Sequence, residues 1–436
     1  MRSRTSFALG FLALIVVGAI LLACPFARSD GRLGDFGVSF FTACSAVCVT
    51  GLSVVDIGTE YSVAGQVILL SLVELGCLGL MTCGTFFLIA IGRRISLARE
   101  FSLMNAYGVA QIQGLRGLIC WVVGSMLVIE AVFAVALYPH FGGWYEAVFY
   151  SVMGFCNAGF SLKADSLASL PRGWPVVVMG VETILGGIGF LVIYNLCTFK
   201  FLHRISGARG RLSLHTRVVL RFTFYLLALT FIAFLAVEWN NTLAGLGTSE
   251  RLVTAFYQAV TPRTCGFSVV ATETLHPLTR LIYESLMFIG GAPGSAAAGM
   301  KVTTLAVILY TTTAMCRGET ETVMDRRLIP TEIVRESLVI LMAIVMFAVL
   351  VTGALFVTEA GRGITPDALF FEAVSAVTTT GLAVGDTTVQ LSSAGRVVVM
   401  VAMFIGRLGA LTVVLMIGDR ESKKHVRFPV EELVVG

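Results

Sequence analysis

Four glycine-centred stretches are the places where this chain could do chemistry, because they interrupt long apolar segments with residues that break helices and need hydrogen-bond partners. Inside a membrane, irregular backbone is tolerated only where it is buried in protein or lines a water-filled path. Glycine permits a positive φ, so successive carbonyl oxygens can point toward one axis, and rings of carbonyl oxygens can replace the hydration shell of an alkali-metal ion. We therefore predict that the four turns coordinate a monovalent cation. The stretches read FFTACSAVCVTGLSVVD (40–56), FYSVMGFCNAGFSLKAD (149–165), FYQAVTPRTCGFSVVAT (256–272) and FFEAVSAVTTTGLAVGD (370–386).

The four stretches are copies of one repeated unit. Aligned on Gly51, Gly159, Gly266 and Gly381, they follow one another at intervals of 108, 107 and 115 residues, and a phenylalanine precedes each glycine by ten residues. Near-constant spacing of this kind marks an internal repeat. The candidate cation ligands are the main-chain oxygens around the aligned glycines, in Thr50, Gly51, Leu52, Asn157, Ala158, Gly159, Phe160, Thr264, Cys265, Gly266, Phe267, Thr379, Thr380, Gly381 and Leu382.

Composition places these units in a membrane. Hydrophobic residues make up 56% of the 436 and charged residues 13%, with a mean hydropathy of +0.88, whereas about 25% of a soluble domain is charged. Placing both termini in the cytoplasm puts 20 of the 31 Lys and Arg residues on the inner side, as the positive-inside rule predicts. Eight apolar runs are long enough to cross a membrane; they cover 7–24, 62–91, 117–137, 174–199, 216–238, 278–315, 333–357 and 393–418.

Each unit is expected to contain a span, a half-crossing helix, a glycine turn and a second span. A helix of about 12 residues covers some 18 Å and cannot cross a core of about 30 Å, so the turn ends inside the membrane. We predict an all-α polytopic membrane protein with eight full spans, four such repeats around a pseudo-fourfold pore, and both termini cytoplasmic. The repeats are expected at 1–92, 93–200, 201–316 and 317–419, followed by a cytoplasmic tail at 420–436.

The sixth apolar run contains a further irregular stretch, GGAPGSAAAGMKVTT (290–304). An interior glycine costs a helix about 1 kcal/mol and a proline about 3 kcal/mol, and the run of about 38 residues is nearly twice what one crossing needs. We predict that an intramembrane loop interrupts the helix here; a passive kink is the alternative. The candidate gate residues are Gly290, Gly291, Pro293, Gly294, Ser295, Gly299 and Lys301, with Arg407 in the last span.

Charged residues within apolar segments are costly, so each is expected to face the pore or a polar partner. Arg407 is expected to face the pore or a carboxylate. Arg263 either holds the third turn from behind or extends to the outer surface. Lys301 either pairs with an acid or projects to the cytoplasmic mouth. Glu74 and Glu130 are each expected to hydrogen-bond between packed helices, and for Glu74 a local difference in packing or protonation is the alternative.

Over essentially the whole chain, the sequence resembles the Trk/Ktr/HKT superfamily of potassium transporters. The resemblance rests on the four glycine stretches, on the 290–304 stretch, and on LVELGCLGLMT (72–82), ILGGIGF (184–190), RLSLHTRVVL (211–220) and MFIGRLGALT (403–412). It implies a potassium-uptake subunit of the cytoplasmic membrane, closest to the Ktr-type membrane subunit. It also implies that the intramembrane loop gates the pore and that Arg407 faces the pore below the filter. Because serine at the first filter position accompanies sodium permeation in this superfamily, Gly51 implies potassium selectivity.

The resemblance also implies partners. Relatives of this type work as homodimers docked on a cytoplasmic ring of nucleotide-binding (RCK-type) regulatory subunits, so we expect both partners here, together with membrane lipid. Segments 200–217 and 317–335 and the C-terminal tail would supply the docking surface. The chain has neither a GxGxxG motif after a strand nor GxxxxGK[ST]. We therefore expect no cofactor in this chain and no nucleic-acid partner, with K⁺ as the transported ion.

Three other functions are compared with potassium uptake. An alternating-access secondary cation transporter is typically built from two inverted halves around one site, whereas the four units here run in the same direction. A sodium-permeable member of the same superfamily is the second alternative. An intramembrane aspartyl hydrolase would need a second intramembrane aspartate beside Asp386, and Asp56 falls at the outer end of a loop. No enzymatic activity is expected.

Overall fold

The chain is built almost entirely of α-helices. A computed structural model describes residues 2–79, 115–206 and 212–409, so the predicted tail at 420–436 lies outside the described residues. Strands β1 (Val323–Met324) and β2 (Arg327–Leu328) form a small antiparallel hairpin. The helices, numbered in chain order, are α1 (Arg2–Ala23), α2 (Phe36–Val47), α3 (Ile57–Glu60), α4 (Val63–Leu78), α5 (Leu115–Leu137), α6 (Trp144–Cys156), α7 (Trp174–Ile188), α8 (Phe190–Ser206), α9 (Leu214–Glu238), α10 (Thr248–Val260), α11 (Pro277–Met287), α12 (Val302–Cys316), α13 (Thr331–Thr358), α14 (Pro366–Thr378), α15 (Thr387–Gln390) and α16 (Ser393–Leu408).

Several helices are long and apolar enough to cross a membrane. By length and composition, three helices in the described part of the chain qualify, and one bent pair adds a fourth. Shorter apolar helices include α2, α4 and α12. The chain is therefore a helical multi-pass membrane protein, and the total of eight crossings stays a prediction. The qualifying segments are Ile119–His140, Leu214–Glu238 and Thr331–Thr358, with the bent pair at Trp174–Ile188 and Phe190–Thr198.

Four short helices stand where the sequence predicts half-crossing helices. Helices α2, α6, α10 and α14 have 12 or 13 residues each, which corresponds to a rise of about 20 Å or less. The side chains of Asp35 and Thr365 cap α2 and α14 by accepting main-chain N–H bonds in the first turn. All four short helices therefore end well before they could cross a membrane, and α2 and α14 begin at a side-chain cap.

The phenylalanines that mark the repeat lie on these short helices and help to pack them. Phe41, Phe149 and Phe371 have no exposed surface. The ring of Phe256 fills the space beside Gly180 of α7, where a Cβ atom would lie 2.7 Å from the ring. The recurrence of this residue type thus reflects the same packing requirement in each unit.

Two buried glutamates join the end of one long helix to the start of a later one. Glu238, at the end of α9, accepts hydrogen bonds from the main-chain N–H of His276 (2.9 Å) and the hydroxyl of Thr279 (2.5 Å), just before and within α11. Glu359 follows α13 and accepts from the N–H (3.0 Å) and the hydroxyl (2.6 Å) of Ser392, which caps α16. Both acids satisfy main-chain groups that would otherwise lack partners at a helix start.

The apolar run 174–199 is not one straight span. Helix α7 ends at Ile188, α8 begins at Phe190, and the two are bent by 94°. Gly189 between them has a φ of 92°, a conformation that glycine adopts without a steric penalty. A break was predicted in the sixth run only. The bend in this fourth run was not predicted, because its apolar composition continues through Gly189.

Replacing Glu359 with Gln is expected to destabilise the fold in a pH-dependent way. Burial raises the pKa of Glu359, but the hydrogen bonds from Ser392 and the charge of Arg362 lower it more, so that the pKa lies below its ordinary value. The stabilisation is therefore present at neutral pH and is lost as the pH falls through the folded-state pKa. We expect Glu359→Gln to cost about 2 kcal/mol at neutral pH, with a smaller difference in acid.

Thermal unfolding of the purified protein at neutral and acidic pH measures this difference. Glu319→Gln, at an exposed position, is the control and should leave the midpoint unchanged. A wild-type midpoint that exceeds that of Glu359→Gln by the same amount at both pH values would contradict an ionised Glu359.

Candidate functional site

The four aligned glycines lie against one another. A Cβ atom added to Gly51 would overlap the main chain of Gly159, and one added to Gly159 would lie 2.6 Å from Cα of Gly266. A Cβ on Gly266 would lie 2.8 Å from the carbonyl oxygen of Thr380, and one on Gly381 would overlap that of Thr50. Each unit therefore contacts the next one along the chain, and the fourth unit contacts the first. We call this arrangement, made by Gly51, Gly159, Gly266 and Gly381, the glycine ring.

Main-chain N–H groups beside the ring are bound on its outer side. In the first unit, Thr50 donates to the carbonyl of Ser45 (2.8 Å) and Gly51 donates to the Ser45 hydroxyl (3.1 Å). The fourth unit repeats both bonds at the same distances, from Thr380 and Gly381 to Ser375. Because the N–H groups are taken up by the short helices, the carbonyl oxygens of Thr50 and Thr380 are left to face the preceding unit, at Gly381 and Gly266 respectively.

A left-handed residue stands two positions before each ring glycine. These residues are Val49 (φ 55°), Asn157 (55°), Thr264 (60°) and Thr379 (50°). A positive φ is uncommon outside glycine and is unusual for β-branched residues, and each such position costs about 1–3 kcal/mol. The same strained turn therefore occurs in all four units, and tertiary packing must stabilise it.

Three of the ring glycines have a positive φ, and the fourth does not. Gly51, Gly266 and Gly381 have φ values of 97°, 77° and 86°. Gly159 is outside this region, so the positive φ that glycine permits is used at three of the four ring positions. Its close approach to Gly266 requires glycine there instead, since a Cβ would lie 2.6 Å from that backbone.

The other predicted cation-ligand residues surround the ring and are buried. Their side chains are at most 2% exposed. The residues that follow the ring glycines pack into the hydrophobic core. The three atoms nearest to a Cβ added at each ring glycine are all main-chain atoms. The buried residues are Thr50, Leu52, Asn157, Ala158, Phe160, Thr264, Cys265, Phe267, Thr379, Thr380 and Leu382.

A cavity of about 520 Å³ opens on one side of the ring and is lined by all four ring glycines. Four acidic residues and one lysine also line it. An excess of carboxylates around a cleft raises the local concentration of cations. The charged residues are Asp56, Asp165, Glu273, Asp386 and Lys163.

The segment 289–301 forms a loop between α11 and α12. At its neck, Gly290 donates to the carbonyl of Met300 (2.9 Å) and Met300 donates to that of Phe288 (3.0 Å). The body of the loop is held by the bend between α7 and α8. Ala292 donates to the Gly187 carbonyl (2.9 Å), and Phe190 donates to that of Gly294 (3.0 Å). The predicted break in the sixth apolar run is therefore present, with Gly290, Gly291, Pro293, Gly294, Ser295 and Gly299 inside it.

Two positively charged side chains donate hydrogen bonds to neighbouring main-chain carbonyls of this loop. Arg407 on α16 donates to the carbonyl of Ala296 (2.7 Å) and to that of Gly76 on α4 (2.7 Å). Lys301 donates to the carbonyl of Ala297 (2.6 Å). No carboxylate pairs with either cation within the described ranges. Arg407 therefore joins the loop to the first unit through main-chain oxygens.

Arg263 connects the third turn to the neck of the loop. Its side chain is 7% exposed, and its guanidinium lies 3.5 Å from the carbonyl oxygen of Gly290. Of the two alternatives raised by the sequence, the geometry matches support of the turn from behind rather than extension to a surface.

A second recurrent glycine motif was missed by the sequence analysis. A GxxG pattern begins 25, 27, 25 and 25 residues after the ring glycines, and the last glycine of each has a positive φ between 71° and 92°. In units one, two and four, the first glycine touches the carbonyl oxygen of the residue four before the ring glycine, where a Cβ would overlap it. The nearly constant offset was the available signal. The motifs are Gly76–Gly79, Gly186–Gly189, Gly291–Gly294 and Gly406–Gly409.

These features define a helical multi-pass membrane protein whose four short helices end at a shared ring of glycines. The chain belongs to the TrkH family of cation transport proteins, which matches residues 26–426. The family consists of transporters, so the chain is not an enzyme, and its place is the cell membrane.

Individual relatives cover nearly the whole chain. The chain is 34% identical to the Ktr system potassium uptake protein B of Bacillus subtilis over 440 residues, which covers 98% of this chain and 96% of the relative. It is 34% identical over 443 residues to the potassium/sodium uptake protein NtpJ of Enterococcus hirae, with the same coverage. The crystal structure of the potassium transporter TrkH from Vibrio parahaemolyticus shares the fold, with a TM-score of 0.77 and 16% identity over 95% of this chain and 84% of that one.

Substituting Gly186 with Ala is expected to disturb the second unit. The added methyl group would overlap the Phe155 carbonyl, and overpacking of this kind costs about 1–3 kcal/mol. Because Phe155 lies four residues before Gly159, we expect a lower preference for rubidium over sodium in vesicle uptake, along with lower stability.

Gly353→Ala is the matched control. Gly353 also lies inside a long apolar helix, but nothing lies within 4 Å of its added Cβ. This variant should keep wild-type selectivity and gain up to about 1 kcal/mol of helix stability. Equal selectivity in both variants would show that the contact between Gly186 and the Phe155 carbonyl does not affect cation selectivity.

Proposed function

We propose that this protein takes up potassium across the cytoplasmic membrane, through a filter in which carbonyl oxygens from four loops replace the water around the ion. The observation that carries the proposal is the glycine ring, because four separate segments approach so closely that only main-chain atoms can line the space between them. Main-chain carbonyls in such rings suit a dehydrated monovalent cation.

The electrostatics support a cation. The short helices α2, α6, α10 and α14 end three to six residues before the ring glycines, and the C-terminal end of a helix carries about half a negative charge. The cavity beside the ring carries four acidic side chains against one lysine. Both features lower the free energy of a cation at the ring relative to an anion.

Potassium is favoured over sodium by the residue types and by the names of the relatives. All four ring positions hold glycine, whereas the resemblance associates serine at the first position with sodium permeation. Both relatives described above are named for potassium uptake, and one of them also for sodium. A sodium-permeable member of the family is therefore the second candidate. An alternating-access transporter is disfavoured, because four similar units surround one ring.

We further propose that the 289–301 loop is the gate. Arg407 and Lys301 bind consecutive carbonyls of the loop, and hydrogen bonds from the α7–α8 bend hold its other side. Charge-assisted hydrogen bonds are stronger than neutral ones, so these contacts stabilise one position of the loop. The two positive charges also oppose the passage of a cation beside them.

The remaining architecture follows from the same proposal. Eight spans, both termini in the cytoplasm and repeats at 1–92, 93–200, 201–316 and 317–419 would arrange the four loops around a pseudo-fourfold pore. The four short helices with similar lengths support this division.

Two protein partners are proposed, a second copy of the chain and a cytoplasmic ring of nucleotide-binding subunits. The name of the Bacillus relative refers to a Ktr system. On the inner side, Asp325 at the tip of the β-hairpin pairs with Arg221 (3.0 Å) and Arg217 (3.2 Å) of α9. The hairpin is thereby fixed with Arg326 and Arg327 exposed, where they would contact the ring subunits or anionic lipid.

Gly51→Ser tests the filter. A serine side chain cannot fit against Gly159 without moving the loop, and a φ of 97° adds strain. We expect the preference for potassium and rubidium over sodium to fall by about tenfold or more, which corresponds to about 1.4 kcal/mol. Cation uptake into reconstituted vesicles measures the ratio.

Gly245→Ser is the control for this test. Gly245 also has a positive φ, of 83°, but its added Cβ meets nothing within 4 Å. The substitution therefore introduces backbone strain without touching the ring. Wild-type selectivity in Gly51→Ser would exclude the first loop from the filter.

Deleting residues 292–298 tests the gate. Removal of the loop segment that Arg407 holds is expected to raise rubidium flux severalfold, while the preference over sodium is kept, because the ring glycines and the Arg263–Gly290 contact lie outside the deleted segment. Arg407→Gln should raise flux in the same direction. Arg396→Gln, a half-buried position on the same helix that bonds to the Val389 carbonyl away from the loop, should not. A deletion variant that is produced normally but shows unchanged or abolished flux would argue against a gating role.

A further inference from the structure

Two carboxyl groups are buried beside the second short helix, in the interior of the membrane protein. Glu182 on α7 has no exposed surface, and Glu130 on α5 is 5% exposed. One oxygen of each carboxyl, Oε2 of Glu182 and Oε1 of Glu130, has no hydrogen-bond partner in the part of the chain that the structure describes. Neither acid forms an ion pair there. An isolated ionised carboxylate is very costly in such surroundings.

The Ser151 hydroxyl has two oxygen atoms within hydrogen-bond distance but only one hydrogen to donate. The Ser151 hydroxyl oxygen lies 2.8 Å from the main-chain carbonyl oxygen of Glu130 and 2.5 Å from Oε1 of Glu182. A serine hydroxyl has one hydrogen, and a main-chain carbonyl can only accept. If the Ser151 hydrogen goes to Glu130, a second hydrogen is needed for the contact with Glu182. Only the carboxyl of Glu182 can carry it.

Two other buried glutamates show how this protein stabilises an ionised carboxylate. Glu238 accepts from the His276 N–H and the Thr279 hydroxyl on one oxygen, and from Asn241 and Thr242 on the other. Both oxygens of Glu359 accept hydrogen bonds from Ser392. The two oxygens of Glu182, by contrast, have one hydroxyl contact between them. A neutral acid accounts for this difference, because its carbonyl oxygen carries no full charge.

Glu182 also lies where it can affect the glycine ring. Its bare oxygen faces the backbone of Gly154, where an added Cβ would lie 3.2 Å away. Gly186, one helical turn further along α7, touches the Phe155 carbonyl at the end of α6. The residues that follow, Asn157 to Gly159, form the second turn. The hydrogen bond between Glu182 and Ser151 thus fixes the same pair of helices that holds this turn.

We propose that Glu182 is a proton-binding site, a neutral carboxylic acid that donates its hydrogen to Ser151 and so positions the second turn of the glycine ring. The proton stays bound and is not the transported ion. Glu182 is a positioning residue, since it acts through α6 and touches no permeating ion. The positioning role rests on the proposed filter, whereas the bound proton does not.

Infrared spectroscopy of the full chain in lipid at neutral pH tests the bound proton. The carbonyl stretch of a protonated carboxylic acid is separate from the carboxylate bands, so subtracting the spectrum of Glu182→Gln from that of the wild type should leave one such band. Glu359→Gln is the control, and its difference spectrum should show loss of a carboxylate without a carboxylic-acid band. The absence of an acid band in the Glu182→Gln difference would overturn the proposal.

Uptake into vesicles tests the positioning role. Glutamine has an N–H group that can donate to Ser151 in place of the carboxyl hydrogen, so Glu182→Gln should keep the wild-type preference for rubidium over sodium. Leucine has a similar volume but no donor, so Glu182→Leu should lower the preference on the order of tenfold. Equal preference in the two variants would contradict the positioning role, as would a Glu182→Gln variant that fails to fold.

The outcomes separate this proposal from the proposed function. If Gly51→Ser keeps wild-type selectivity while the acid band of Glu182 is present, the filter assignment fails and the proton site stands. If the band is absent while Gly51→Ser loses selectivity, the filter stands and the proton site fails. If Glu182→Leu does not fold, the spectrum of Glu182→Gln alone decides whether the proton is bound.

Discussion

The structure depends on one constraint, the close approach of four main chains in an apolar environment. A main-chain N–H or carbonyl group buried without a partner is costly there, yet the glycine ring must leave carbonyl oxygens available. The protein meets both requirements by binding the N–H groups of the turns to the short helices, through Ser45 and Ser375 in units one and four. Packing of the surrounding helices holds the strained residue before each ring glycine in its left-handed conformation.

Sequence reasoning located the ring because glycine recurred at a nearly constant spacing among apolar runs. It also located the loop at 290–304, since glycine and proline there cannot continue a helix. It did not predict the left-handed Val49 and Thr264, because β-branched residues disfavour that conformation and only tertiary packing imposes it. The bend at Gly189 was missed for a different reason: hydropathy stays high through it, and a single glycine within an apolar run is also compatible with a continuous helix.

Buried charges were predicted to need partners, but the sequence could not say which kind. Arg407 was expected to face the pore or a carboxylate, and it binds the carbonyls of Ala296 and Gly76. A main-chain oxygen has no sequence signature, so a partner of this kind can be found only from coordinates. The same holds for the acids: Glu238 and Glu359 receive several donors, whereas Glu182 has a single hydroxyl contact. Their different surroundings follow from helix packing and not from residue type.

The third unit differs from the other three in how its turn is supported. In units one, two and four, the first glycine of the GxxG motif contacts a carbonyl oxygen at the end of the short helix. In unit three, Gly290 and Gly291 contact other residues of the loop and the Gly187 carbonyl instead. In place of that glycine contact, the side chain of Arg263 extends from the third turn to the Gly290 carbonyl oxygen. A long side chain can rotate about several bonds, while two backbones in contact cannot. The third turn therefore depends on the position of the 289–301 loop through a side-chain contact that the other three turns do not have.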